Sequence, residues 1–298
     1  MMSEFKSGFV SIIGRPNVGK STLLNRLIGQ KIAIISHKPQ TTRNNVLGIL
    51  SEEDYQIIFT DTPGIHAPNT KLGEFMVKSA KGAIGNADAV LFLVEPRDSV
   101  GKTEEKIMED LRTKNIPVIL VINKIDTIKK ETLFSIISTY TEHFDFEAVI
   151  PISAKCRDGI DSLKEELLKH IQPGPMFYPD DMVTDQPERQ VAAELIREKL
   201  LYALDKEIPH GVAIEIFAMR EKKNIVEIEA NIYCEKSSHK AIIIGKGGAM
   251  LKAVGSRARE DIERMLEKKV LLKLWVKVKD DWRNNNFLIK NFGFEQDS

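Results

Sequence analysis

Short runs of β-branched and aromatic residues recur through the first half of the chain, and polar or glycine-containing motifs follow most of them. Apolar runs of this length predict strands that are buried on both faces of a parallel sheet. Segments with apolar residues three to four positions apart predict helices. The predicted strands are Phe9–Ile13, Tyr55–Thr60, Ala89–Val94, Val118–Ile122 and Val149–Ile152, and the predicted helices are Thr22–Ile28 and Gly159–Ile171. The alternation predicts an α/β domain with a mostly parallel sheet.

The pattern changes at residues 172–187, where four prolines fall within sixteen residues. This excludes a continuous helix or a central strand, and the aromatic residues Phe177 and Tyr178 favour a linker that packs on a surface. A helix, a hairpin, two helices and a strand are predicted after it. Their spans are Glu188–Lys206, Val212–Met219, Ile225–Cys234, Ser238–Ile244, Ala249–Lys268 and Val270–Val278. We therefore predict domains at residues 1–172 and 188–298, joined by a proline-rich linker at 173–187.

The segment between the first predicted strand and the first predicted helix fits the phosphate-loop pattern G-x-x-x-x-G-K-[ST]. A glycine-rich turn in this position presents backbone N–H groups to a phosphate at the positive end of the helix. Lys20 is expected to contact the outer phosphates and the Ser21 hydroxyl to ligate Mg²⁺. The predicted nucleotide-binding residues of this segment are Gly14, Arg15, Pro16, Asn17, Val18, Gly19, Lys20, Ser21 and Thr22.

Three further motifs follow predicted strands and indicate which nucleotide is bound. Guanine presents two N–H donors on one edge, which the Asp126 carboxylate can accept together, whereas adenine offers no such pair. Asn123 is expected to tie the base loop to the phosphate loop, the Lys124 stem to lie over the base, and the Ala154 N–H to donate to guanine O6. The motifs comprise Asp61, Thr62, Pro63 and Gly64; Asn123, Lys124, Ile125 and Asp126; and Ser153, Ala154 and Lys155. In this order they resemble those of the Ras-like P-loop GTPases.

That resemblance implies a magnesium site beside a switch segment. Ser21 and Asp61, at the end of a predicted strand, are two expected Mg²⁺ ligands. The polar, non-periodic segment Pro39–Arg43 lies where such GTPases keep their first switch. The Thr-Arg pattern of the family makes Thr42, rather than Thr41, the expected third ligand.

The residue after Gly64 departs from the Ras-like pattern, in which a Gln orients the attacking water. It is Ile65, whose apolar side chain cannot position water, and it opens a second switch that is expected to reach about Gly73. Asn17 has two interpretations that the sequence leaves open. It either holds K⁺ against the phosphates, in the role of an arginine finger, or only shapes the loop. The predicted catalytic residues are Asn17, Lys20, Thr42 and Gly64.

Overall charge does not indicate a nucleic-acid partner, but its distribution does. The 298 residues carry 43 Lys and Arg against 43 Asp and Glu, whereas Lys236–Lys279 holds twelve basic and four acidic residues. Cys156 and Cys234 are far apart and are expected to be free thiols in a reducing compartment. The polar start of the chain predicts no signal peptide, and the apolar runs are too short to span a membrane.

The basic region surrounds a Gly-Lys-Gly-Gly segment between two predicted helices. In the order helix, two strands, two helices, strand, it resembles the GXXG loop of a type II KH domain, an α+β fold. Bare glycine backbone lets RNA phosphates approach, and such a loop clamps about four nucleotides against an apolar groove. The predicted RNA-binding residues are Ile242, Ile243, Ile244, Gly245, Lys246, Gly247, Gly248, Leu251 and Lys252.

GTPase motifs, a proline-rich linker and a KH domain in one chain resemble the bacterial Era GTPase family, and so does the Leu-Trp-Val-Lys-Val segment around Trp275. The resemblance implies a Mg²⁺-dependent GTPase, slow without an activator, that binds GTP and GDP. It also implies binding to the 3′ end of 16S ribosomal RNA and a role in assembly of the small ribosomal subunit. A cytoplasmic monomer is implied, in some members with peripheral contact to the inner membrane.

Two other interpretations stay open from the sequence. A P-loop kinase or ATPase would share the phosphate loop, although the Asn-Lys-Ile-Asp motif ending at Asp126 argues against it. A GTPase whose second domain binds only protein would share the domain order. The tandem-domain relative of Era is of that kind, but it has two GTPase domains and this chain has one.

Overall fold

Two compact units make up the computed structural model, which describes residues 4–294. The first unit comprises the described parts of 1–33, 42–68 and 75–185. The second comprises 34–41, 69–74 and the described part of 186–298. Two short pieces of the N-terminal half thus group with the C-terminal half.

The first unit is built on a sheet of six described strands. Its strands are β1 (Lys6–Gly14), β2 (Val46–Ser51), β3 (Tyr55–Asp61), β4 (Ala89–Val94), β5 (Val118–Ile122) and β6 (Ala148–Pro151). Its helices are α1 (Lys20–Ile28), α2 (Lys71–Gly85, whose first turn groups with the second unit), α3 (Lys102–Arg112), α4 (Leu133–Thr141) and α5 (Ile160–His170). The strand order is β2-β3-β1-β4-β5-β6, with β2 antiparallel to β3 and the other neighbours parallel.

Strand β4 shows why the sheet is apolar on both faces. All six of its residues are buried, and alternate side chains enter two different cores. Leu91 and Leu93 pack with residues of α1 and α5, whereas Phe92 and Val94 pack with residues of α2, α3 and α4. With both faces covered, polar groups are accommodated at the carboxyl ends of the parallel strands, which meet along one edge.

The predicted strands of this unit are confirmed within a few residues, and α1 begins two residues earlier than its pattern predicts. The sequence patterns do not predict β2, α2, α3 or α4. The second switch, expected to extend as a loop to about Gly73, is shorter because α2 begins at Lys71.

The proline-rich segment packs against the first unit. The fully buried Gln56 accepts hydrogen bonds from the Phe177 and Tyr178 N–H groups at 2.8 and 3.0 Å. Its amide donates to the Tyr178 carbonyl at 2.8 Å, and the Phe177 ring lies 5.0 Å from the ring of Phe9. The aromatic residues of the segment therefore anchor it, as the sequence suggests, and residues 173–185 group with the first unit.

The second unit has a sheet of three described strands covered by helices. Its elements are α6 (Glu188–Ala203), β7 (Ala213–Lys222), β8 (Ile225–Cys234), α7 (Ser237–Ile244), α8 (Ala249–Leu266), β9 (Lys269–Val278) and α9 (Asn286–Asn291). β8 lies between β7, which is antiparallel to it, and β9, which is parallel. Alternate residues of β8, from Val226 to Cys234, enter the core beneath the helices. The predicted element order is confirmed, and the fold is the predicted α+β arrangement.

The region after β9 belongs to this unit, although its sequence carries no recognisable motif. Trp282 is fully buried and its indole N–H donates to the Gly211 carbonyl at 2.8 Å. The ring of Phe292 packs edge-on against it at 5.3 Å. The last four residues of the predicted domain lie outside the described residues. Across residues 4–294, no helix has the length and apolar character needed to cross a membrane.

Candidate functional site

The phosphate loop needs glycine at two positions. Gly14 has φ +148°, and a Cβ there would lie 2.4 Å from the Leu93 carbonyl oxygen. Gly19 has φ +104°, and a Cβ would lie 2.2 Å from the Asn123 amide nitrogen. Gly19 is also the residue before α1, whose first-turn N–H groups have no side-chain cap. These donors therefore face the loop, where an anion can accept from them.

Lys20 is held inside the loop. It is 6% exposed, and its ammonium donates to the carbonyls of Gly14 at 3.2 Å and Arg15 at 3.0 Å. Burial lowers the pKa of Lys20 to about 8, against the opposing effect of the Asp61 carboxylate. A desolvated cation aimed along the loop is suited to a phosphate, which would restore the favourable charge interaction that burial removes.

The three predicted magnesium ligands converge. The Ser21 hydroxyl lies 2.6 Å from Asp61 Oδ2 and 2.9 Å from the Thr42 hydroxyl, and the Thr42 hydroxyl lies 3.2 Å from the same carboxylate oxygen. Asp61 is fully buried, its Oδ1 has no hydrogen-bond partner, and burial raises its pKa to about 6. A carboxylate with one oxygen unpaired, beside two hydroxyls, fits Mg²⁺, which prefers oxygen ligands. The Thr41 hydroxyl instead donates to the Lys38 carbonyl.

The base loop is tied to the phosphate loop as expected. The Asn123 amide donates to the Val18 carbonyl at 2.8 Å, and its oxygen accepts from the Ala154 N–H at 3.0 Å. That N–H, which the sequence assigns to guanine O6, is therefore directed to Asn123 in this structure. The Ser153 hydroxyl donates to Asp126 Oδ1 at 2.6 Å and orients the carboxylate that is expected to read the base.

Lys124 bridges the same two loops, and an acidic residue that the motifs do not include helps to hold it. Its backbone is left-handed, with φ 68°, and its ammonium donates to the Asn17 carbonyl at 2.7 Å and to Glu95. Glu95 directly follows β4, so the signal that identifies Asp61, an acidic residue after a buried strand, was also present here. Glu104 of α3, which is buried and pairs with Arg15 at 2.5 Å, had no such signal.

The region after Gly64 contains no water-orienting group at the Ras-like position. A Cβ on Gly64 would lie 2.7 Å from the Pro16 nitrogen, so the two loops are in close contact. Ile65 is 8% exposed and packs in the same core as Phe92. The remaining predicted nucleotide-binding residues lie in these loops or in the first turn of α1: Thr22, Thr62, Pro63, Ile125 and Lys155.

The second candidate site is the glycine loop between α7 and α8. Gly245, Gly247 and Gly248 have φ values of 73°, 58° and 80°, a region that favours glycine. A Cβ on Gly245 would lie 2.7 Å from that of Met250, whereas Gly247 and Gly248 face open space. Lys246 is exposed at the tip. The loop therefore presents bare backbone beside a cation.

A cleft of about 360 Å³ opens beside this loop. Leu251 and Lys252 line it, as the sequence predicts. The prediction for Ile243 is wrong, because consecutive helical residues project about 100° apart and a run of three cannot share one face. Contact of RNA with Ile242 and Ile244 stays a prediction. Ile243 is fully buried in the core, Ile242 is nearly half exposed, and Ile244 packs at the edge of the core. The cleft is lined by Gly248, Leu251, Lys252, Gly255, Ser256, Arg259, Leu272 and Leu274.

Comparison with known proteins supports both sites. Residues 9–124 match the family model described as a 50S ribosome-binding GTPase, and residues 207–283 match that of the KH domain. The GTPase Era of Ruminiclostridium cellulolyticum is 54% identical over 98% of each chain. That of Alkaliphilus metalliredigens is 53% identical over 98% of this chain and all of the other.

Solved structures are similar along the whole chain. A crystal structure of Era in complex with MgGDPNP and nucleotides 1506–1542 of 16S ribosomal RNA is 40% identical, with a TM-score of 0.95 over 98% of this chain and all of that one. A variant of Aquifex aeolicus Era bound to GDP·AlF4⁻ is 39% identical, with the same TM-score and coverage. Identity above one half along the whole length, together with both sites, shows that the chain belongs to the Era family of GTPases.

Proposed function

We propose that this GTPase uses its second unit to bind the 3′ end of 16S ribosomal RNA, that its nucleotide controls that binding, and that it assists assembly of the small ribosomal subunit. The observation that carries the proposal is the presence, in one chain, of converging phosphate-loop and magnesium-ligand residues and of a GXXG loop beside a cleft lined by leucines and basic side chains. The Era relative crystallised with both MgGDPNP and 16S nucleotides supports it.

Different residues of the first unit bind the phosphates and the magnesium ion during GTP hydrolysis. The loop N–H groups and Lys20 bind the phosphates, and Ser21, Thr42 and Asp61 hold Mg²⁺, which when bound neutralises charge on the phosphates. In this proposal, the Gly64 N–H senses a γ-phosphate. Because Ile65 is buried, this chain lacks the side chain that orients water in Ras-like proteins, and slow hydrolysis without a partner follows.

The proposal includes K⁺ as a second ion, ligated by the Asn17 side chain. Asn17 is exposed and left-handed, with φ 66°, and its own carbonyl accepts from Lys124. The exposed side chain of Asn17 within the phosphate loop supports this proposal. A cation there would supply the charge that an arginine finger supplies elsewhere. The proposal also includes a cytoplasmic monomer with some peripheral contact to the inner membrane.

The K⁺ hypothesis predicts a salt dependence. Replacing K⁺ with Na⁺ at constant ionic strength should lower the single-turnover rate of GTP hydrolysis by at least tenfold, since an arginine finger contributes about 10³–10⁵-fold. Asn17→Ala should remove the difference between the two salts, and Asn17→Asp, which keeps an oxygen ligand, should retain part of it. Equal rates in K⁺ and Na⁺ for the parent chain would rule K⁺ out.

Base reading by Asp126 predicts a change of nucleotide. Asp126→Asn should weaken GTP binding by several orders of magnitude, because sites built to hydrogen-bond a ligand discriminate by about 10⁴–10⁵-fold. The variant should bind xanthosine triphosphate more tightly than the parent does, since the 2-carbonyl of xanthine can accept a hydrogen bond from the new amide. Ser153→Ala is the matched control: it releases Asp126 without changing its charge, so binding should weaken with no gain for xanthine. Unchanged GTP affinity in Asp126→Asn, measured calorimetrically, would show that Asp126 does not read the base.

RNA binding through the glycine loop predicts the effect of a single carboxylate. Gly248→Asp should weaken binding to an RNA with the 16S 3′ end by roughly ten- to a hundredfold, because it repels phosphate and obstructs the backbone. Gly293→Asp is matched, since Gly293 has φ +82° in the same unit and also faces open space, as Gly248 does. It should leave RNA affinity unchanged, and both variants should bind GTP normally. RNA binding by folded Gly248→Asp at parental strength would indicate that the second unit serves another ligand.

A further inference from the structure

Part of the first switch belongs to the second unit. Residues 34–41 group with α6 and its neighbours, and hydrogen bonds hold both ends of this short segment. The Glu198 carboxylate accepts from the Ile35 N–H at 3.0 Å, and the Arg197 guanidinium donates to the Thr41 carbonyl. Both contacts are to backbone groups, so they fix the path of the segment whatever its side chains are.

Arg197 and Glu198 are unusual residues for the buried face of a helix. Each is only 2% exposed, among apolar neighbours such as Leu200. Burying a charge is unfavourable unless its hydrogen-bonding groups are satisfied. Glu194 accepts from Arg197 Nε at 2.8 Å and from Nη2, and Lys199 donates to Glu198 Oε2 at 2.8 Å. Arg197 Nη2 also donates to the Thr41 carbonyl, whereas the buried Arg197 Nη1 has no hydrogen-bond partner among the described residues. Glu198 Oε1 accepts from the Ile35 N–H. These two charges are therefore compensated in part by the segment that they hold.

A second pair on this segment is of a different kind. The Lys38 ammonium lies 2.8 Å from Asp205, whose side chain is 88% exposed. An ion pair in such a setting contributes little, because water solvates the carboxylate almost fully. The contacts of Arg197 and Glu198 therefore constrain the path of the segment more strongly than the Lys38–Asp205 pair does.

The Arg197 contact affects Thr42, a predicted magnesium ligand, through the peptide group that joins Thr41 to Thr42. The Thr41 carbonyl and the Thr42 N–H belong to the same planar peptide group, so fixing the carbonyl fixes the orientation of that plane. Thr42 is the residue whose hydroxyl lies 2.9 Å from Ser21 and 3.2 Å from Asp61. A peptide plane free to rotate would carry that hydroxyl out of reach of the ion.

We propose that Arg197 is a positioning residue for the nucleotide site: it holds the Thr41–Thr42 peptide so that the Thr42 hydroxyl meets Mg²⁺ when a γ-phosphate is present. The inference rests on the proposed function, and it gives the second unit a part in GTP recognition. The first switch of a GTPase is ordered by the γ-phosphate and its Mg²⁺ and is released on hydrolysis. Arg197 therefore favours the triphosphate form and is indifferent to the diphosphate form.

Nucleotide affinity of the full chain tests this. Arg197→Gln removes the charge-assisted donor and should weaken Mg²⁺-dependent binding of GDPNP by roughly tenfold or more, with GDP affinity unchanged. Arg197→Lys, which keeps a donor, should restore part of the loss. Lys38→Ala, which removes the exposed pair on the same segment, should change neither affinity by more than about twofold. Equal weakening of GDPNP and GDP in Arg197→Gln would overturn the proposal.

A double-mutant cycle separates positioning from a general effect on folding. Thr42→Val removes the hydroxyl while keeping the shape of the side chain. If Arg197 acts through Thr42, Arg197→Gln should cause little further loss of GDPNP affinity in the Thr42→Val background. Fully additive losses would contradict the mechanism. These readouts use no RNA, so a failure to bind 16S RNA would count against the proposed function alone.

Discussion

Burial of the Asp61 carboxylate is the interaction on which the nucleotide site depends. Asp61 ends β3 inside the sheet, where it pairs in register with Ile12 of β1. A charge removed from water requires nearby compensation, and here it comes from Ser21 of the phosphate loop and Thr42 of the first switch, while Lys20 adds an opposite charge. One oxygen still lacks a partner. A cation bound beside this oxygen would complete the compensation of the buried charge.

Both candidate sites contain the same local feature, a left-handed glycine immediately before a helix. Gly19 precedes α1 and Gly248 precedes α8, and neither helix has a side-chain cap in its first turn. The difference lies in the surroundings. In the first unit, neighbouring residues leave no room for a Cβ at Gly14 or Gly19, and such a narrow loop suits a single enclosed phosphate chain. In the second, Leu272 and Leu274 form an open apolar wall, which suits bases stacked along a strand.

Sequence motifs predicted those parts of the nucleotide site that depend on residues near one another in the sequence or at the ends of neighbouring strands. The four nucleotide motifs each follow a strand of the sheet, and the topology of a parallel sheet brings such positions together, so Ser21 and Asp61 met as predicted. Thr42 follows no strand, and the Thr-Arg pattern of the family predicted its place beside them. The prediction that Ile243 contacts RNA was wrong because a run of isoleucines does not reveal which face of the helix is buried. Arg197 has no signal at all, since its partner is a backbone carbonyl 156 residues away. The grouping of 34–41 with the C-terminal half depends on contacts of that distant kind.

The central proposal is that the nucleotide bound to the first unit controls the affinity of the second unit for RNA. The direct measurement is a titration of the full chain with an RNA carrying the 16S 3′ end, once loaded with GDPNP and once with GDP, at fixed salt. Because binding of two ligands is coupled reciprocally, the account predicts tighter RNA binding in the GDPNP form, by about 5–150-fold for typical coupling of about 1–3 kcal/mol. Two titrations that superimpose would contradict it and show that the units act independently.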